Sequence, residues 1–343
     1  MKEKMSMVNE NDAPSASKNA RPYDLLKEVF QRLKRKHMHL ILLAATIFVT
    51  YWTFFFWVTI IKTLQLYTAG DDIYNLIHLE TPETKGNASA VHIPRIIHRM
   101  WANDEFLKQD NLEITHSFIR CNSLYHRKNW TTILWTDESI RNFLQKHYSH
   151  FISTFDAYPY TIQRVDAARY FILYHYGGVY MDMDIGCFST KDIGDFVNYM
   201  EASGKQVALP QTEPVGLSND VMIASKNSTF FKEAIDALPT KNRWFGMHYL
   251  TVLYSTGSLF LSLLFFNQKP LERNKIAIIP PRLYTEKGTR YFRHLHGSTW
   301  HGKDQWIVKN WFAIVLFFAI ALLLLLLTKL RPLRIRTTQS KLK

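Results

Sequence analysis

The chain has 343 residues, 47% of them hydrophobic, and a formal net charge of +13. This length allows one large domain or two small ones. The charge at first indicates nucleic-acid binding, but ten of the thirteen excess positive charges lie in residues 1–39 and 329–343, beside two apolar runs. A nucleic-acid partner is therefore not expected, because the basic excess flanks apolar segments and does not form a patch on a domain.

The two apolar runs are residues 40–61 and 311–328, and neither contains a charged residue. A membrane-spanning helix needs about 17–25 apolar residues. A buried core helix is the other interpretation, but such a helix usually keeps a polar stripe. The first run starts too far into the chain for a cleavable signal peptide, so we interpret it as a signal anchor.

Basic residues adjoin the outer end of each run and predict its orientation, because they mark the cytoplasmic side of a membrane. They are Arg32, Lys34, Arg35 and Lys36, and then Lys329, Arg331, Arg334 and Arg336. We therefore expect two cytosolic basic tails (1–39 and 329–343), a transmembrane anchor (40–61), a stem (63–90), a luminal catalytic domain (91–310) and a second transmembrane helix (311–328).

Glycosylation sequons and cysteines are compatible with a luminal domain. Sequons begin at Asn87, Asn129 and Asn227, and such triplets mark N-glycosylation sites only on luminal or secreted segments. The two cysteines, Cys121 and Cys187, either pair or stay reduced, and the sequence does not decide between these states.

Strand and helix patterns alternate along the domain. Strands are predicted at 93–100, 131–135, 179–182, 207–209 and 221–224, and helices at 111–125, after a cap at Thr136 or Asp137, and at 161–176, where Gly177-Gly178 ends the helix. This alternation predicts an α/β sheet. A third apolar stretch, 249–266, contains several Ser, Thr and Gly residues. We expect a helix that packs in the domain or lies against the membrane surface, since a third span would place the two basic tails on opposite sides.

The motif Tyr180-Met-Asp182-Met-Asp184-Ile-Gly186 carries the chemistry. Two carboxylates with one residue between them, at a strand end, can meet one divalent cation, and Mg²⁺ and Mn²⁺ prefer oxygen ligands. Such a cation would neutralise a diphosphate leaving group. One helix earlier, Asp166 and Arg169 share a face. They form either a surface ion pair or a pair in which Arg169 lies near phosphates and Asp166 near the donor sugar's hydroxyls.

The segment Asp166-Ala-Ala-Arg169-Tyr170, followed by residues 176–184, resembles the signature of the DXD sugar glycosyltransferases, which include yeast-type mannosyltransferases and glucosylating bacterial toxins. Residues 93–101 and 130–137 resemble that family's nucleotide-binding strands. Within the family, the second apolar run with its basic tail and residues 214–220 are similar to the fungal inositol phosphorylceramide mannosyltransferases. The resemblance implies a GT-A (Rossmann-like) fold and retaining transfer of mannose from GDP-mannose to inositol phosphorylceramide in sphingolipid synthesis. It also implies the Golgi membrane as the compartment, with the endoplasmic reticulum as the alternative.

The resemblance also implies roles for particular residues. Asp166, Arg169, Asp182 and Asp184 would be catalytic. Asp182, Asp184 and His296 would hold Mn²⁺ or Mg²⁺, with His294 and His301 as rival ligands. The donor-binding residues would be Trp101, Asp166, Arg169, Asn219 and Asp220, where Trp101 either stacks on guanine or belongs to the core, and Asn219 and Asp220 either contact substrate or form a plain turn.

Three other functions are weighed against this one. The chain could transfer mannose or another hexose to N-glycans, or it could be a non-catalytic regulatory membrane subunit that has kept the fold. A regulatory membrane subunit is also a candidate partner of the enzyme. A dehalogenase-like phosphatase also uses Asp-x-Asp, but it usually has Thr where this chain has Gly186.

Overall fold

The computed structural model describes residues 91–108, 113–188, 192–212, 216–284 and 291–295, with scattered positions between 43 and 54 and between 304 and 320. The chain divides into two compact units, Met1–Trp57 and Val58–Lys343. All the strands described here belong to the second unit.

Six strands form the central sheet, in the order β2-β1-β3-β6-β5-β7. Strand β1 is parallel to β2 and β3, β5 is parallel to β7, and β6 is antiparallel to both β3 and β5. Strands β4 and β8 form a separate antiparallel pair. The strands are β1 (Ile96–Met100), β2 (Thr131–Trp135), β3 (Gly178–Met181), β4 (Ile185–Cys187), β5 (Val207–Pro210), β6 (Val221–Ala224), β7 (Ile276–Ile279) and β8 (Phe292–His294).

Helices cover both faces of the central sheet. They are α1 (Glu113–His126), α2 (Asp137–His147), α3 (Ile152–Asp156), α4 (Thr161–Tyr176), α5 (Gly194–Ser203), α6 (Thr229–Lys241), α7 (His248–Ser255), α8 (Ser258–Asn267), α9 (Pro270–Arg273) and α10 (Pro281–Tyr284), with short 3-10 helices at Glu105–Lys108 and Ser149–Phe151.

Strand β3 shows how the sheet divides the core into two layers. Tyr180 belongs to the cluster that includes Tyr170 of α4 and Phe231 of α6, whereas Val179 and Met181 belong to the cluster on the other face. Successive side chains of a strand point to opposite faces, so β3 is covered on both sides. Buried, uniformly apolar strands are typical of α/β proteins, and the predicted α/β class is confirmed.

Several predicted elements match the structure closely. Strand β2 and helix α4 have the expected bounds, and Thr136 caps α2 by accepting a hydrogen bond from the Ser139 N–H. Strand β1 begins at Ile96, later than expected, because a turn precedes it in which the Ile96 N–H donates to the carbonyl of Pro94. Asp182 follows β3 and opens a turn, so the motif carboxylates lie beyond the strand's end.

The third apolar stretch forms two helices, α7 and α8, that are separated at Thr256-Gly257. A side chain at Gly257 would lie 3.1 Å from the Leu253 Cα, so the close approach of the two helices requires glycine. Among the described residues, His248–Asn267 is the stretch long and apolar enough to cross a membrane, with a mean hydropathy of 1.6, but 56% of it is buried in the fold. This confirms that it packs in the domain.

The predicted membrane runs lie mostly outside the described residues. Their described positions are helical. Large apolar side chains are exposed there, including Phe48 and Phe54 in the first run and Leu316 and Phe317 in the second. That these runs span a membrane stays a prediction.

Candidate active site

The Asp182–Asp184 turn is placed by the strands on either side of it. The Asp182 N–H donates to the Asp220 carbonyl at 2.7 Å, which continues the antiparallel pairing of β3 with β6. The Ile185 N–H donates to the Asp182 carbonyl at 3.0 Å and closes the turn into β4. The carboxylate-bearing segment is therefore fixed by the backbone at the carboxyl end of β3, where α/β sheets bind ligands.

Two glycines allow α4 to lead directly into β3. Gly177 and Gly178 both have positive φ, at 68° and 94°, a region that side chains with a Cβ rarely adopt. A Cβ at Gly178 would lie 2.5 Å from the Ile96 carbonyl oxygen. The glycine pair thus brings the motif strand against β1, and the predicted end of the helix at Gly177-Gly178 is confirmed.

Arg99, near the end of β1, binds the backbone of the same turn. Its side chain is 2% exposed, and its Nη1 donates to the carbonyls of Asp182 and Ile185, each at 2.7 Å. Burial lowers the pKa of Arg99 to about 10, so it stays charged near neutral pH. A charged donor shared by two carbonyls gives the turn one fixed conformation.

The Asp182 side chain is held by two neighbours. The Tyr180 hydroxyl donates to Asp182 Oδ1 at 2.6 Å, and Arg169 Nη1 lies 3.3 Å from the same oxygen. The Arg169 guanidinium also stacks over the Tyr180 ring at 4.6 Å. Asp182 is thus oriented by a cation and a phenol before any substrate arrives.

Asp166 and Arg169 form a buried pair, with side chains 4% and 1% exposed and Arg169 Nη2 3.1 Å from Asp166 Oδ1. Asn219 Nδ2 donates to Asp166 Oδ1 at 2.9 Å, and Thr256 Oγ1 donates to Oδ2 at 3.0 Å. Arg169 Nη1 donates to the Asn219 carbonyl at 2.6 Å. Burial excludes the surface-pair interpretation, since a buried pair persists only when further hydrogen bonds satisfy its charges.

A third carboxylate, Asp220, lies opposite Asp182 in the continuation of the β3–β6 ladder. The hydroxyls of Ser218 and Tyr284 donate to its two oxygens. Asn219 and Asp220 are therefore part of the site and not a plain turn. Their predicted contact with the donor sugar stays a prediction.

Burial and neighbouring carboxylates raise the pKa of both motif aspartates. Burial raises the pKa of Asp182 to about 7, with smaller contributions from Asp220 and Asp184 and an opposing one from Arg169. Burial and then Asp220 also raise the pKa of Asp184. Asp182, Asp184 and Asp220 together form a concentrated negative charge that a cation would stabilise.

The described residues provide part of a metal site. No group of three or more His, Cys, Asp or Glu side chains among them is placed to hold a metal ion alone. Mg²⁺ and similar ions are commonly bound through one or two carboxylates together with substrate phosphates. The neighbouring carboxylates of Asp182 and Asp184 provide hard oxygen ligands and fit this mode of metal binding.

The histidine segment runs beside Asp184. The Leu295 N–H donates to the Asp184 carbonyl at 2.7 Å, and His294 pairs with Ile185 between β8 and β4. His294 Nε2 donates to the Tyr284 carbonyl at 2.8 Å, so that nitrogen is engaged. His296 and His301 lie outside the described residues, and His296 as a metal ligand stays a prediction.

Trp101 lies at the edge of the site. It is half-buried and packs with Phe118 and Met183, the residue between the two motif aspartates. This position is compatible with the predicted stacking on a guanine base, which stays a prediction.

Cys121 and Cys187 form a disulfide with a Cα–Cα distance of 5.5 Å. It joins α1 to β4, the strand that directly follows the motif turn. The pairing that the sequence left undecided is therefore present.

Four residues of the site were not predicted from the sequence: Arg99, Tyr170, Thr256 and Tyr284. The Tyr170 hydroxyl donates to the Thr256 carbonyl, so the break between α7 and α8 is tied to α4. Thr256-Gly257 inside an apolar stretch was a visible signal of a break. Nothing local to Arg99 or Tyr284 indicated a role.

Comparison with known protein families first gives the class of protein to which the chain is similar. Residues 116–201 match the family described as a glycosyltransferase sugar-binding region containing a DXD motif. That segment includes the Asp166–Arg169 pair and both motif aspartates.

Similar proteins then give the particular family. Inositol phosphoceramide mannosyltransferase 1 of Schizosaccharomyces pombe is 39% identical over 253 residues, which cover 71% of this chain and 76% of the relative. Inositol phosphoceramide mannosyltransferase 3 of the same yeast is 34% identical over 73% of this chain and 68% of the relative. The synthase SUR1 of Saccharomyces cerevisiae, a mannosyl phosphorylinositol ceramide synthase, is 34% identical over 63% of this chain and 54% of its own length. The chain belongs to the family of DXD glycosyltransferases that contains these enzymes.

A solved structure, PaToxG Glycosyltransferase, has a TM-score of 0.33 and 14% identity over 60% of this chain and 81% of its own. This likeness is too distant for any conclusion to depend on it.

Proposed function

We propose that this chain is a retaining mannosyltransferase that transfers mannose from GDP-mannose to inositol phosphoceramide. The observation that carries the proposal is the buried Asp166–Arg169 pair, which holds Asp182 at the end of β3. The names of the chain's relatives, an inositol phosphoceramide mannosyltransferase and a mannosyl phosphorylinositol ceramide synthase, support the proposal. We further propose that the sheet and its helices represent the GT-A fold.

Asp182 and Asp184, with His296 as a third ligand, would hold Mn²⁺ or Mg²⁺. The bound cation would supply positive charge to the diphosphate leaving group.

The chain's own residues contribute preorganisation. Arg169 and Tyr180 fix the Asp182 carboxylate, and Arg99 fixes the backbone of the turn. Asp166 holds Arg169 and the Asn219 amide in place, so the donor-binding loop and the motif form one hydrogen-bonded unit. Groups that are already oriented need no rearrangement as charge develops on the leaving group, which is a major source of rate enhancement.

We propose a luminal location for this site, with both termini cytosolic and the spans at 40–61 and 311–328, in the Golgi membrane. The disulfide supports this location, because disulfides form and persist in oxidising compartments. The basic tails support the orientation.

Purified full-length protein in detergent tests the proposal. With Mn²⁺ present, labelled GDP-mannose, UDP-glucose and UDP-galactose would each be offered with inositol phosphoceramide or with a high-mannose N-glycan. We expect label on the lipid, from GDP-mannose alone. Transfer to the N-glycan in place of the lipid, or from a UDP-sugar, would support the alternative hexosyltransferase. Absence of any transfer would support a regulatory subunit.

A further inference from the structure

Helices α7 and α8 and the loop before them expose an apolar surface, which we call the hairpin face: Trp244, Leu253, Leu259 and Leu263. Trp244 is 61% exposed, and the three leucines are half-buried. Leu259 and Leu263 are one turn apart and share a side of α8. No charged residue occurs between His248 and Asn267, so nothing in these helices opposes contact with an apolar medium.

Aromatic and basic residues border the hairpin face. The Arg243 guanidinium lies 5.0 Å from the Phe245 ring, which stacks on Tyr254 at 5.4 Å. Lys241 precedes this group, and Lys269 follows the end of α8. Aromatic rings beside basic groups are typical of segments at the level of lipid headgroups, where basic side chains reach the phosphates.

The hairpin face is tied to the chain segment that leads into the second apolar run. The Tyr249 N–H, at the start of α7, donates to Asp304 Oδ2 at 2.6 Å. Residue 311, where that run begins, is seven residues further along the chain. Seven residues reach at most about 25 Å, which is the upper limit on the distance from Asp304 to the start of the run.

The same helices reach the active site from their other side. Thr256 donates to Asp166, and Ser262 Oγ accepts the Leu217 N–H at 2.8 Å in the loop that carries Asn219 and Asp220. Leu259 marks the edge of the hairpin face next to that loop, since a side chain at Gly216 would meet it at 4.0 Å. One pair of helices thus has the donor-site network on one side and the hairpin face on the other.

We propose that the hairpin face rests on the luminal surface of the bilayer, and that this contact places the active site beside the headgroup of a lipid acceptor. The acceptor's identity rests on the proposed function, but the docking itself does not. Contact with lipid buries the leucines and Trp244 and leaves the basic residues among the headgroups.

Site-directed spin labelling of the full-length protein in phosphatidylcholine–phosphatidylinositol vesicles tests the docking. The chain's two cysteines are joined in the disulfide, so an added cysteine is labelled selectively. We would compare Leu263→Cys with Ile119→Cys, a 50% exposed apolar position on α1. Oxygen should relax the label at 263 more than a water-soluble nickel complex does, and the reverse should hold at 119. A label at 263 that is open to nickel, or shielded from both reagents by protein, would overturn the proposal.

A kinetic experiment tests the coupling to the acceptor. For Trp244→Glu and Leu263→Glu we expect the KM for inositol phosphoceramide in vesicles to rise about tenfold, because each change places a charge at the apolar contact. The KM for GDP-mannose, and the rate with acceptor dispersed in detergent, should match wild type, and Ile119→Glu should leave all values unchanged. Equal losses in vesicles and detergent, or no change in either, would overturn the coupling. Failure of wild type in both would contradict the proposed function, and spin labelling would still decide the docking.

Discussion

The two aspartates of the motif have identical side chains but different surroundings. Asp182 is held by Tyr180 and Arg169, whereas no described side chain donates a hydrogen bond to the Asp184 carboxylate. Asp184 is therefore the carboxylate whose oxygens remain available to a cation and its ligands. Asp182 is both a candidate site residue and a partner in the hydrogen bonds that hold the turn.

Asp184→Ala should lower the rate of mannose transfer at least about 100-fold, because it removes charge that faces the leaving group's cation. The free energy of unfolding should change by less than about 0.5 kcal/mol, since no described side chain donates to that carboxylate. Radiolabel transfer and denaturant unfolding measure these quantities. Asp236→Ala, at an exposed aspartate on α6, is the matched control. Transfer near the wild-type rate in Asp184→Ala would contradict the site assignment.

His98 makes the fold sensitive to acid. Its Nε2 donates to the Gly177 carbonyl at 2.9 Å, and its Nδ1 accepts the Trp135 indole N–H at 3.1 Å, so the ring is neutral. Burial lowers the pKa of His98 from 6.5 to about 4. Because the unfolded chain then binds the proton more readily, this contribution to stability is complete above pH 6.5 and is lost as the pH falls toward 4.

His98→Gln keeps a donor and an acceptor but does not titrate. Between pH 7 and pH 4.5, wild type should lose about 2–3 kcal/mol more unfolding free energy than this variant. Denaturant titrations at both pH values provide the measurement. Parallel losses in the two proteins would show that His98 is not the acid-sensitive group.

At the scale of secondary-structure elements, the site depends on how strand ends are tied together. β1 contributes Arg99, β3 leads into the aspartate turn, β6 places Asp220 opposite Asp182, and the α7–α8 break contributes Thr256. Each element contributes one side chain or turn, and the site forms only when these parts lie together.

Arg99→Met should destabilise the fold by about 3 kcal/mol and slow transfer, because two buried carbonyls lose a charged donor and the turn loosens. Arg99→Lys keeps the charge without the fork of donors, and it should recover part of both losses. Unfolding free energy and kcat for the two variants are the measurements. If Arg99→Met were stable and fully active, Arg99 would not be needed to hold the turn.

The elements that sequence predicted best are those with local signals. Helix α4 follows from its apolar spacing and the Gly177-Gly178 end, and β2 from a short run rich in β-branched residues. Asp220 lies beside Asp182 because β6 pairs with β3 in an antiparallel register. No pattern in the sequence near either residue predicts that register. The partners of Arg99 and Tyr284 depend in the same way on contacts between distant parts of the chain.

At the scale of the whole molecule, the disulfide encloses the segment that carries most of the candidate catalytic residues. Cys121 and Cys187 are 66 residues apart, and α4, β3 and the motif turn lie between them. The link restricts the unfolded chain and fastens β4 to α1 just behind Asp184.

Replacing both cysteines by serine should lower the unfolding free energy by about 4 kcal/mol, the value expected for a loop of this length. Wild type treated with a reductant should lose a similar amount, whereas the double variant should not respond to reductant. Thermal unfolding with and without reductant measures the effect. A wild type indifferent to reductant would contradict a structural role for the bond.

We propose that the site around Asp182 and Asp184 transfers mannose to inositol phosphoceramide. The most direct measurement is the sphingolipid profile of cells lacking this chain, compared after the wild type or Asp184→Ala is restored. We predict that unmannosylated inositol phosphoceramide accumulates without the chain, that wild type restores the mannosylated lipid, and that Asp184→Ala does not, although equal amounts of both proteins reach the membrane. An unchanged profile without the chain, or full restoration by Asp184→Ala, would contradict the account.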